Sequence, residues 1–471
     1  MGGVLIIKSS CSLDSQFVVP PIGVAYLAAG LRNRSSVKIH FLDMNLGLSV
    51  NEILRKAREM RPEAVAVSSM TPEYKNAEKL VTALKMDGLA VPYWIGGPHA
   101  SSCAERIVGS GAFDCAGIGE GEETFPELVE TLSGQRKTES VKGIVFREGS
   151  SIIRTEDRPS IENLDRVAFP DWNIFELDKY YEMTKLNILM AGKRFMPIFT
   201  TRGCPYRCIY CHNIFGKKVR FRSAENVFQE MTLLHEKHQI DEFAVIDDVF
   251  NIDPRRAEEL CDLIIESGMK IKISFQSGLR ADLVNEQLLR KLKRAGTYLI
   301  CYAIESASPR LQQVIKKKLH LEKTKQVIEQ TNKLGILTIG FFLDGLPSET
   351  REEIEQSIQY ACSSKLNFAS FMSAYPFPGT EISKIAEESG FKIDYDSPDV
   401  DYFKPAYSLG AVNMKELGKL KKTANARFLM NPLRTFNTMR RLPAKRKILS
   451  MLSFYAMRAV RTNKVIQKVD A

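Results

Sequence analysis

TTRGCPYRCIYCHN, residues 200–213, places three cysteines within eight residues, at Cys204, Cys208 and Cys211. A structural zinc site usually needs four ligands and a disulfide needs two, so three thiols require another explanation. Three thiolates can hold three irons of a cubane cluster and leave the fourth iron open, as a catalytic metal site requires. The alternatives are chance clustering and a zinc site that borrows His212, but the chain has no second C-x-x-C pair.

The cysteines follow an apolar stretch, 196–203, that reads as a buried strand. Patterns typical of helices separate it from five further strand candidates. Six such units predict a partial (β/α)6 TIM-like barrel, whose chemistry sits on loops at the carboxyl ends of the strands. The three cysteines occupy that position. The further strand candidates are 242–248, 271–278, 298–306, 337–345 and 368–376.

The N-terminal part also alternates short apolar runs with helical patterns, which predicts a Rossmann-like, doubly wound parallel sheet. Glycines cluster at 96–99 and 119–122, where strands should end. Glycine lets backbone approach a large flat ligand at such an edge, although tight turns would explain the same residues. Neither cluster is a G-x-G-x-x-G, so dinucleotide binding is not favoured. The strand candidates are 4–7, 37–43, 64–69, 91–97 and 114–122.

Turn-forming and proline-marked segments between these patterns divide the chain into four parts. The sheet domain spans 1–140, and a connector with a hairpin turning at Glu148 and Gly149 spans 141–190. The barrel spans 191–385, and a mainly helical region with a basic tail spans 386–471.

The composition is that of an ordinary globular protein, with 44% apolar and 26% charged residues among 471. The start lacks the pattern of a secretory signal, and no apolar run approaches the ~18 residues of a membrane-spanning helix. Most of the nine cysteines are isolated in sequence. We therefore expect a cytoplasmic, reducing location without disulfides.

The net charge of +10 is concentrated at the C-terminal end. Residues 415–471 carry +13, so the rest of the chain sums to −3. No basic stripe crosses the main domains, and no nucleic-acid partner is expected. Within the tail, the apolar run 448–460 lies between basic clusters. It could pack on the barrel, or it could lie peripherally on an anionic membrane, in which case the substrate could be lipid-linked.

The cysteine motif, with Tyr210 before its last cysteine, resembles the signature of radical S-adenosylmethionine (SAM) enzymes. In the N-terminal half, PPIGVAYLAAGL (20–31), GGPH (96–99) and GIGEGEETF (117–125) resemble cobalamin-binding domains fused ahead of such barrels. The resemblance therefore indicates a cobalamin-binding radical SAM enzyme. Within the barrel it continues through IDDVF (246–250), SGLRAD (277–282), AIES (303–306), GFFLDGLPSET (340–350) and YPFPGT (375–380).

The resemblance implies that the three cysteines ligate a 4Fe–4S cluster whose open iron takes the amino and carboxylate groups of SAM. Asp247 and Asp248 match positions that contact the methionine amine, although capping of the next helix is an alternative for both. A carboxylate within an apolar strand, as Glu305 is, would cost several kcal/mol without a partner, which favours ligand binding. The other positions that match SAM contacts are Tyr210, Ser277, Arg280, Gly340 and Gly345.

Some cobalamin domains carry a D-x-H-x-x-G motif whose histidine binds cobalt from below. This chain reads Asp43-Met44-Asn45-Leu46-Gly47, so the lower axial histidine is absent, and His40 is better explained as a core residue. Asn45 is a poor cobalt ligand, and many radical SAM relatives lack the histidine. The positions expected near cobalamin are Tyr26, Asn45, Ser68, Ser69, Gly96, Gly97, His99, Gly119, Glu120 and Gly121.

The resemblance implies reductive cleavage of SAM to a 5′-deoxyadenosyl radical, with reduced flavodoxin or ferredoxin as the electron donor. Methylation of an unactivated carbon, or of phosphorus, in a small-molecule or lipid-linked substrate is the favoured outcome. A rearrangement or cyclisation without methyl transfer is the alternative among enzymes. A cobalamin-sensing protein with a relic barrel is the non-enzymatic alternative, against which the intact cluster motif argues.

Overall fold

The computed structural model describes residues 2–10, 18–183, 189–212, 214–395 and 406–443. The apolar run 448–460 and most of the basic tail lie outside these residues, so the predictions made for them stay predictions. None of the helices in the described ranges is both long and apolar enough to cross a membrane.

The first domain is a seven-stranded sheet in the order β2-β1-β3-β4-β5-β6-β7, of which the first five strands are parallel. This is a doubly wound arrangement, as predicted. Its strands are β1 (Val4–Lys8), β2 (Ile39–Asp43), β3 (Ala64–Ser68), β4 (Tyr93–Gly96), β5 (Cys115–Gly117), β6 (Ile144–Glu148) and β7 (Ser151–Arg154). The helices of this part are α1 (Ile22–Arg32), α2 (Val50–Met60), α3 (Tyr74–Met86), α4 (Pro98–Gly109) and α5 (Gly121–Leu132).

Alternation along β1 explains why helices cover both faces of this sheet. Val4 and Ile6 pack in a core shared with α1 and α5, whereas Leu5 and Ile7 pack in a second core shared with α2, α3 and α4. Successive side chains of a strand point to opposite faces, so a continuous apolar run buries both of them.

The predicted hairpin is confirmed, because β6 and β7 pair antiparallel with Glu148 opposite Ser151. Gly149 has φ +59°, a left-handed conformation that glycine adopts without steric cost. Since β6 also pairs with β5, the hairpin extends the first sheet, and the predicted connector begins with two strands of that sheet.

The second domain contains six parallel strands in sequence order, with β8 and β15 at the edges. An open sheet of six βα units is a partial barrel, as predicted. Its strands are β8 (Phe195–Ile198), β11 (Glu242–Val245), β12 (Lys272–Leu279), β13 (Thr297–Glu305), β14 (Leu337–Asp344) and β15 (Phe368–Ser373). A small antiparallel hairpin, β9 (Thr201–Arg202) and β10 (Arg220–Phe221), follows β8.

From α7 to α13, the helices of this part begin at side chains that satisfy the first turn, whereas α6 has no such cap. Ser223 accepts a hydrogen bond from Asn226 N at the start of α7, and Thr350 forms a capping box with Glu353 at the start of α12. These helices are α6 (Leu177–Glu182), α7 (Ala224–His238), α8 (Pro254–Ser267), α9 (Glu286–Arg294), α10 (Pro309–Val314), α11 (Leu321–Lys333), α12 (Arg351–Ser363) and α13 (Glu381–Glu388).

The C-terminal region is mainly helical where it is described, with α14 (Met414–Leu429) and α15 (Pro432–Arg441). The segment before α14 joins the barrel mouth, because Leu409 N donates to Gly345 O at 3.1 Å. Lys421 reaches Ser373 Oγ at the carboxyl end of β15 (2.9 Å). Farther along, Thr438 bonds Asn367, just before β15 begins, so α15 lies at the amino ends of the strands.

Candidate active site

The three cysteines lie on one loop between β9 and β10, at the carboxyl end of β8. Gly203 opens this loop with φ +90°, and a Cβ there would lie 2.4 Å from Lys218 O, so only glycine fits. Two backbone bonds shape the loop: Cys204 N donates to Gly216 O (3.2 Å) and Cys211 N to Cys208 O (3.2 Å). The motif therefore stands where a parallel barrel carries its chemistry.

The thiols fit a cubane better than a single zinc ion. Cys204 and Cys208 are partly exposed and Cys211 is exposed. Among the described residues, no three His, Cys, Asp or Glu side chains converge on one metal position, and the ring of His212 packs against Phe377 at 5.2 Å. In a cubane each protein-bound iron takes a different thiolate, so the cysteine sulfurs need not converge on one metal position. The hydrogen bond between the two thiols lowers the pKa of Cys208 and raises the pKa of Cys211, so in the protein without its cluster one proton stays between them.

Glu305 and Lys317 form a buried ion pair beside the cysteines, and the sequence analysis did not predict their contact. Glu305 ends β13 in a left-handed conformation (φ +66°), where the register with β14 shifts. Its carboxylate lies 3.4 Å from Lys317 Nζ, which is also 3.3 Å from the Tyr210 hydroxyl. Burial acts to lower the pKa of Lys317, but the charges of Glu305, Cys208 and Cys211 outweigh it and raise this pKa above its usual value. Lys317 is therefore a fixed positive charge beside the cysteines.

The two predicted aspartates occupy different environments. Asp247 is buried and accepts bonds from the Thr200 N (2.6 Å) and hydroxyl groups, so its carboxylate is used within the protein. Asp248 is exposed after β11, at the same end of the sheet as the cysteines. Of the two, Asp248 is the one with a carboxylate available to a ligand.

Arg280 links the cysteine loop to the segment that carries Lys317. Its guanidinium lies 3.6 Å from the ring centroid of Tyr206 and donates to Lys317 O at 3.0 Å. A salt bridge to Asp282 (2.9 Å) completes its contacts. Ser277 is exposed near the end of β12. The Arg280 side chain is thus engaged by protein groups, whereas Ser277 faces solvent.

The two glycines predicted near SAM have different packing environments. At Gly340, within β14, a Cβ would lie 2.5 Å from Leu366 Cδ1, so this glycine is explained by core packing. Gly345 follows Asp344 at the strand end with φ +75°, and a Cβ there would lie 3.1 Å from Tyr407 O. Gly345 therefore adjoins the barrel mouth, while Gly340 lies inside the sheet.

In the first domain, the residues expected near cobalamin gather at the carboxyl ends of the parallel strands. Ser68 ends β3, Ser69 N donates to Gly96 O (3.0 Å), and Gly97 has φ +106°. A Cβ on Gly97 would lie 2.7 Å from Ser69 O, so the loops approach too closely for any other residue. This is the edge at which open α/β sheets bind ligands.

His99 and Asn45 stand at this edge with contrasting hydrogen bonds. His99 is fully buried, its Nδ1 lies 3.2 Å from Thr71 Oγ1, and its Nε2 has no partner among the described residues. Burial lowers the pKa of His99 to about 3, so the ring is neutral. The Asn45 amide instead donates to Asp43 Oδ1 (2.9 Å) and Ser9 O (3.2 Å), which fixes its orientation.

The Gly119–Gly121 loop meets the cysteine loop through buried charges. Glu120 accepts bonds from Arg202 (2.8 Å) and from Arg220 (2.9 and 2.8 Å), and the Tyr26 ring lies 5.0 Å from the Arg202 guanidinium. The side chains of Tyr26 and Glu120, expected near cobalamin, thus lie in the interface between the domains. Neither arginine was predicted, because their partners are distant in sequence.

Two family models match the chain in the predicted order. The B12 binding domain model covers residues 12–129, and the Radical SAM superfamily model covers residues 198–361. The chain belongs to the cobalamin-binding radical SAM enzymes. The second model begins in β8 and includes all three cysteines.

Curated relatives of this radical SAM enzyme are similar over most of their length. An uncharacterized methyltransferase of Pyrococcus horikoshii is 29% identical over 88% of each chain. A cytidylyl-2-hydroxyethylphosphonate methyltransferase of Streptomyces wedmorensis is 28% identical over 93% of this chain and 90% of its own. An anaerobic magnesium-protoporphyrin IX monomethyl ester cyclase of Rubrivivax gelatinosus is 26% identical over 88% and 74%.

Among solved structures, the radical SAM methyltransferase TsrM from Kitasatospora setae, with cobalamin and a [4Fe-4S] cluster bound, superposes with a TM-score of 0.67. It is 18% identical and is matched over 82% of this chain and 78% of its own. This likeness supports the predicted fold: a parallel-sheet domain followed by a radical SAM partial barrel.

The cofactors of this cobalamin-binding radical SAM enzyme are a 4Fe–4S cluster, SAM and cobalamin. The chain offers features that fit each group. Three thiols lie on one strand-end loop for the cluster, and Asp248 is an exposed carboxylate at the same end of the sheet for SAM. The buried Nε2 of His99 also lacks a protein partner among the residues described.

Proposed function

We propose that this enzyme is a methyltransferase that acts on an unactivated carbon, or on phosphorus, of a small molecule. Bound together, the cluster and SAM supply a 5′-deoxyadenosyl radical, and cobalamin supplies a methyl group. Two curated relatives, which match 88% and 93% of this chain, are named methyltransferases. The structural observation behind the proposal is that the B12-binding domain adjoins the cysteine loop, because Glu120 on its glycine loop binds Arg202, two residues before Cys204.

Within this proposal, Cys204, Cys208 and Cys211 hold the cluster. Lys317 balances part of the negative charge of the thiolates, since its Nζ is buried beside them. A permanent cation there stabilises the charged cluster and binds the carboxylate of SAM.

The remaining SAM contacts are assigned to polar groups that are exposed or lie at strand ends near the cysteines. Asp248 binds the methionine amine, because the Asp247 carboxylate is already bonded to Thr200. Glu305 and Tyr210 position the Lys317 ammonium, and Ser277 and Gly345 offer polar atoms at neighbouring strand ends. Arg280 acts by holding Tyr206 against the Lys317 segment.

Cobalamin binding is proposed at the carboxyl edge of the first sheet. The backbone of the Gly96–Gly97 and Gly119–Gly121 loops would lie against the corrin, and Ser68, Ser69 and His99 would donate or accept around its rim. No protein ligand for cobalt is proposed, because the Asn45 amide is bonded to Asp43 and Ser9.

Ring formation without methyl transfer is the second candidate. The similarity to a magnesium-protoporphyrin IX monomethyl ester cyclase, 26% identical over 88% of this chain, favours it. Both candidates share the radical-forming site, so they differ only in what happens to the substrate radical. The electron donor proposed for either reaction is a reduced flavodoxin or ferredoxin.

Contact with a membrane is proposed for the C-terminal region, and an exposed apolar tip where α14 meets α15 supports it. The tip consists of Leu429, Met430, Leu433 and Phe436, which are 46%, 78%, 74% and 66% exposed. No acidic residue occurs between positions 417 and 469, so the surroundings suit an anionic lipid surface. The tip lies at the amino ends of the strands, away from the cysteines, which favours a small-molecule substrate over one taken directly from the bilayer.

Co-sedimentation with anionic liposomes tests this contact. The double variant Leu433→Ser, Phe436→Ser should sediment less than the parent at low salt, as should a chain that ends at Leu442. Met86→Ser removes an equally exposed methionine from the first domain and serves as the control. Equal sedimentation of all four proteins, or no binding at low salt, would remove the proposal.

The methyltransferase proposal is tested by label transfer. Anaerobically reconstituted enzyme, a reductant and SAM labelled in its methyl group are incubated with fractionated small-molecule extract. Label that appears on a carbon or phosphorus of one compound, together with 5′-deoxyadenosine, supports methyl transfer. A modified compound without label would favour ring formation instead.

A further inference from the structure

The interface between the two domains contains four charged side chains that are almost excluded from solvent. The side chains of Glu120, Arg202, Arg220 and Glu122 are 5%, 5%, 2% and 11% exposed. Glu120 Oε1 accepts from Arg202 Nη1 (2.8 Å) and Arg220 Nη1 (2.9 Å), and Oε2 accepts from Arg220 Nη1 and Ile161 N, both at 2.8 Å. Glu122 binds the other Arg202 nitrogen. Both oxygens of Glu120 are therefore occupied.

The two arginines close the ends of the cysteine loop. Arg202 in β9 pairs directly with Arg220 in β10, and residues 203–219 between them include all three cysteines. Glu120, which binds both arginines, stands between Gly119 and Gly121 at the carboxyl edge of the first sheet. One carboxylate thus joins both ends of the cysteine loop to a loop of the other domain.

The same hairpin is tied to the barrel on its other side. Arg222 N donates to Thr200 O (3.0 Å), and Thr200 N donates to Asp247 Oδ1 (2.6 Å). The cysteine loop is therefore held between two fixed points. Apolar side chains of similar volume often stabilise as well as buried ion pairs do, so stability alone does not account for four buried charges. Bidentate charge-assisted bonds do fix geometry more narrowly than apolar contacts.

We propose that Glu120, Glu122, Arg202 and Arg220 form a clamp that sets the distance between the iron–sulfur cluster and cobalamin. Its members are positioning residues, since they act through the loops that they hold. The proposal rests on the assignment of Cys204, Cys208 and Cys211 to the cluster. A fixed separation matters because a misplacement of about 1 Å, even one caused far from the reacting atoms, can slow a reaction about 100-fold.

Pulsed electron paramagnetic resonance on the holoenzyme measures this distance directly, between cob(II)alamin and the reduced cluster. The variants are Glu120→Gln, which removes the shared charge, and Glu122→Gln, which weakens Arg202 alone. The control is Glu123→Gln, because Glu123 is half exposed and pairs with Arg158 outside the clamp. Iron content, cobalamin content and unfolding temperature are measured on every protein.

We expect a narrow distance distribution for the parent and the control. Both clamp variants should give a broader distribution with a longer mean while retaining their cofactors. If Glu120→Gln does not fold, Glu122→Gln decides the result. Unchanged distributions in the folded clamp variants would overturn the proposal. A parent without a cluster signal would instead contradict the cysteine assignment, so the two failures are distinguishable.

Discussion

The Nζ atom of Lys317 lies 3.4 Å from Oε1 of Glu305 and 3.3 Å from the hydroxyl of Tyr210. Both charged side chains are largely buried, and Tyr210 immediately precedes Cys211 in the sequence. A buried charge that loses its partner is strongly destabilising, whereas removal of both charges is tolerated. This pair therefore allows stability and ligand binding to be separated experimentally.

Lys317→Met should lower the free energy of unfolding by about 3–5 kcal/mol, because it leaves Glu305 buried without a cation. The double variant Glu305→Gln, Lys317→Met should recover most of that loss but should still bind SAM at least ~10-fold more weakly, since a charge-assisted bond is missing. Chemical denaturation and equilibrium dialysis measure the two effects. Lys318→Gln, at an exposed neighbour, should change neither. Parent-like SAM affinity in the double variant would contradict the role given to Lys317.

Replacement of any one of Cys204, Cys208 and Cys211 by Ala should abolish the iron–sulfur absorbance and the formation of 5′-deoxyadenosine together. Each of the three protein-bound irons needs its own thiolate, so two cysteines cannot replace three. Cys362→Ala, at a half-buried cysteine of α12, should leave both signals intact. A single variant of the motif that made 5′-deoxyadenosine at the parent rate would show that the cluster is held elsewhere.

Asn45→Ala should retain cobalamin within about tenfold of the parent affinity, because its amide is bonded to Asp43 and Ser9 and is not expected to ligate cobalt. The electron paramagnetic resonance spectrum of bound cob(II)alamin should show no nitrogen coupling in either protein, with the lower base of cobalamin displaced. Nitrogen coupling from a protein side chain in the parent would refute this prediction.

Glu349 should make stability fall as pH rises. Burial, reinforced by Asp344, raises its pKa from 4.5 to about 8. Because the pKa of Glu349 is raised in the folded state, this residue contributes stability that is fully present below pH 4.5 and is lost as pH rises through 8. Unfolding temperatures of the apoprotein should therefore fall from pH 5 to pH 8 more steeply in the parent than in Glu349→Gln.

Glu353 provides a control of opposite sign. The bond from Arg310 holds its pKa at about 2, so its contribution is present above pH 4.5 and is lost only as pH falls through 2. Glu353→Gln should lower the unfolding temperature by a nearly constant amount between pH 5 and pH 8. Parallel curves for the parent and Glu349→Gln would show that Glu349 ionises normally in the folded protein.

Periodicity in the sequence predicted the parallel strands of both sheets, because buried parallel strands are continuous apolar runs. The strand candidate 114–122 was too long, since β5 ends at Gly117 and α5 begins at Gly121. The strand candidate 4–7 lies within β1, and the strand candidate 337–345 differs from β14 by one residue. Helix α4 was not predicted, because its sequence from Pro98 starts with small and polar residues. Its apolar residues are recognisable as one helical face only from their packing against the sheet.

The site was less predictable where function depends on contacts between distant residues. Lys317 lies in a run of three lysines, which reads as a solvated surface; only the fold brings it to Glu305. The sequence also could not separate Asp247 from Asp248, since the distinction depends on the bonds that Thr200 makes. Likewise, Glu120 stands in a glycine loop that resembles a cobalamin contact, but its partners lie 82 and 100 positions away.

Methyl transfer through cobalamin would consume SAM twice in each turnover, once to re-methylate cobalamin and once to generate the 5′-deoxyadenosyl radical. The direct measurement is the ratio of S-adenosylhomocysteine to 5′-deoxyadenosine formed by the anaerobic holoenzyme during turnover of its substrate. Methyl transfer predicts equal amounts of the two products, with one labelled methyl group gained by the substrate. Turnover that yields 5′-deoxyadenosine without S-adenosylhomocysteine would contradict methyl transfer through cobalamin.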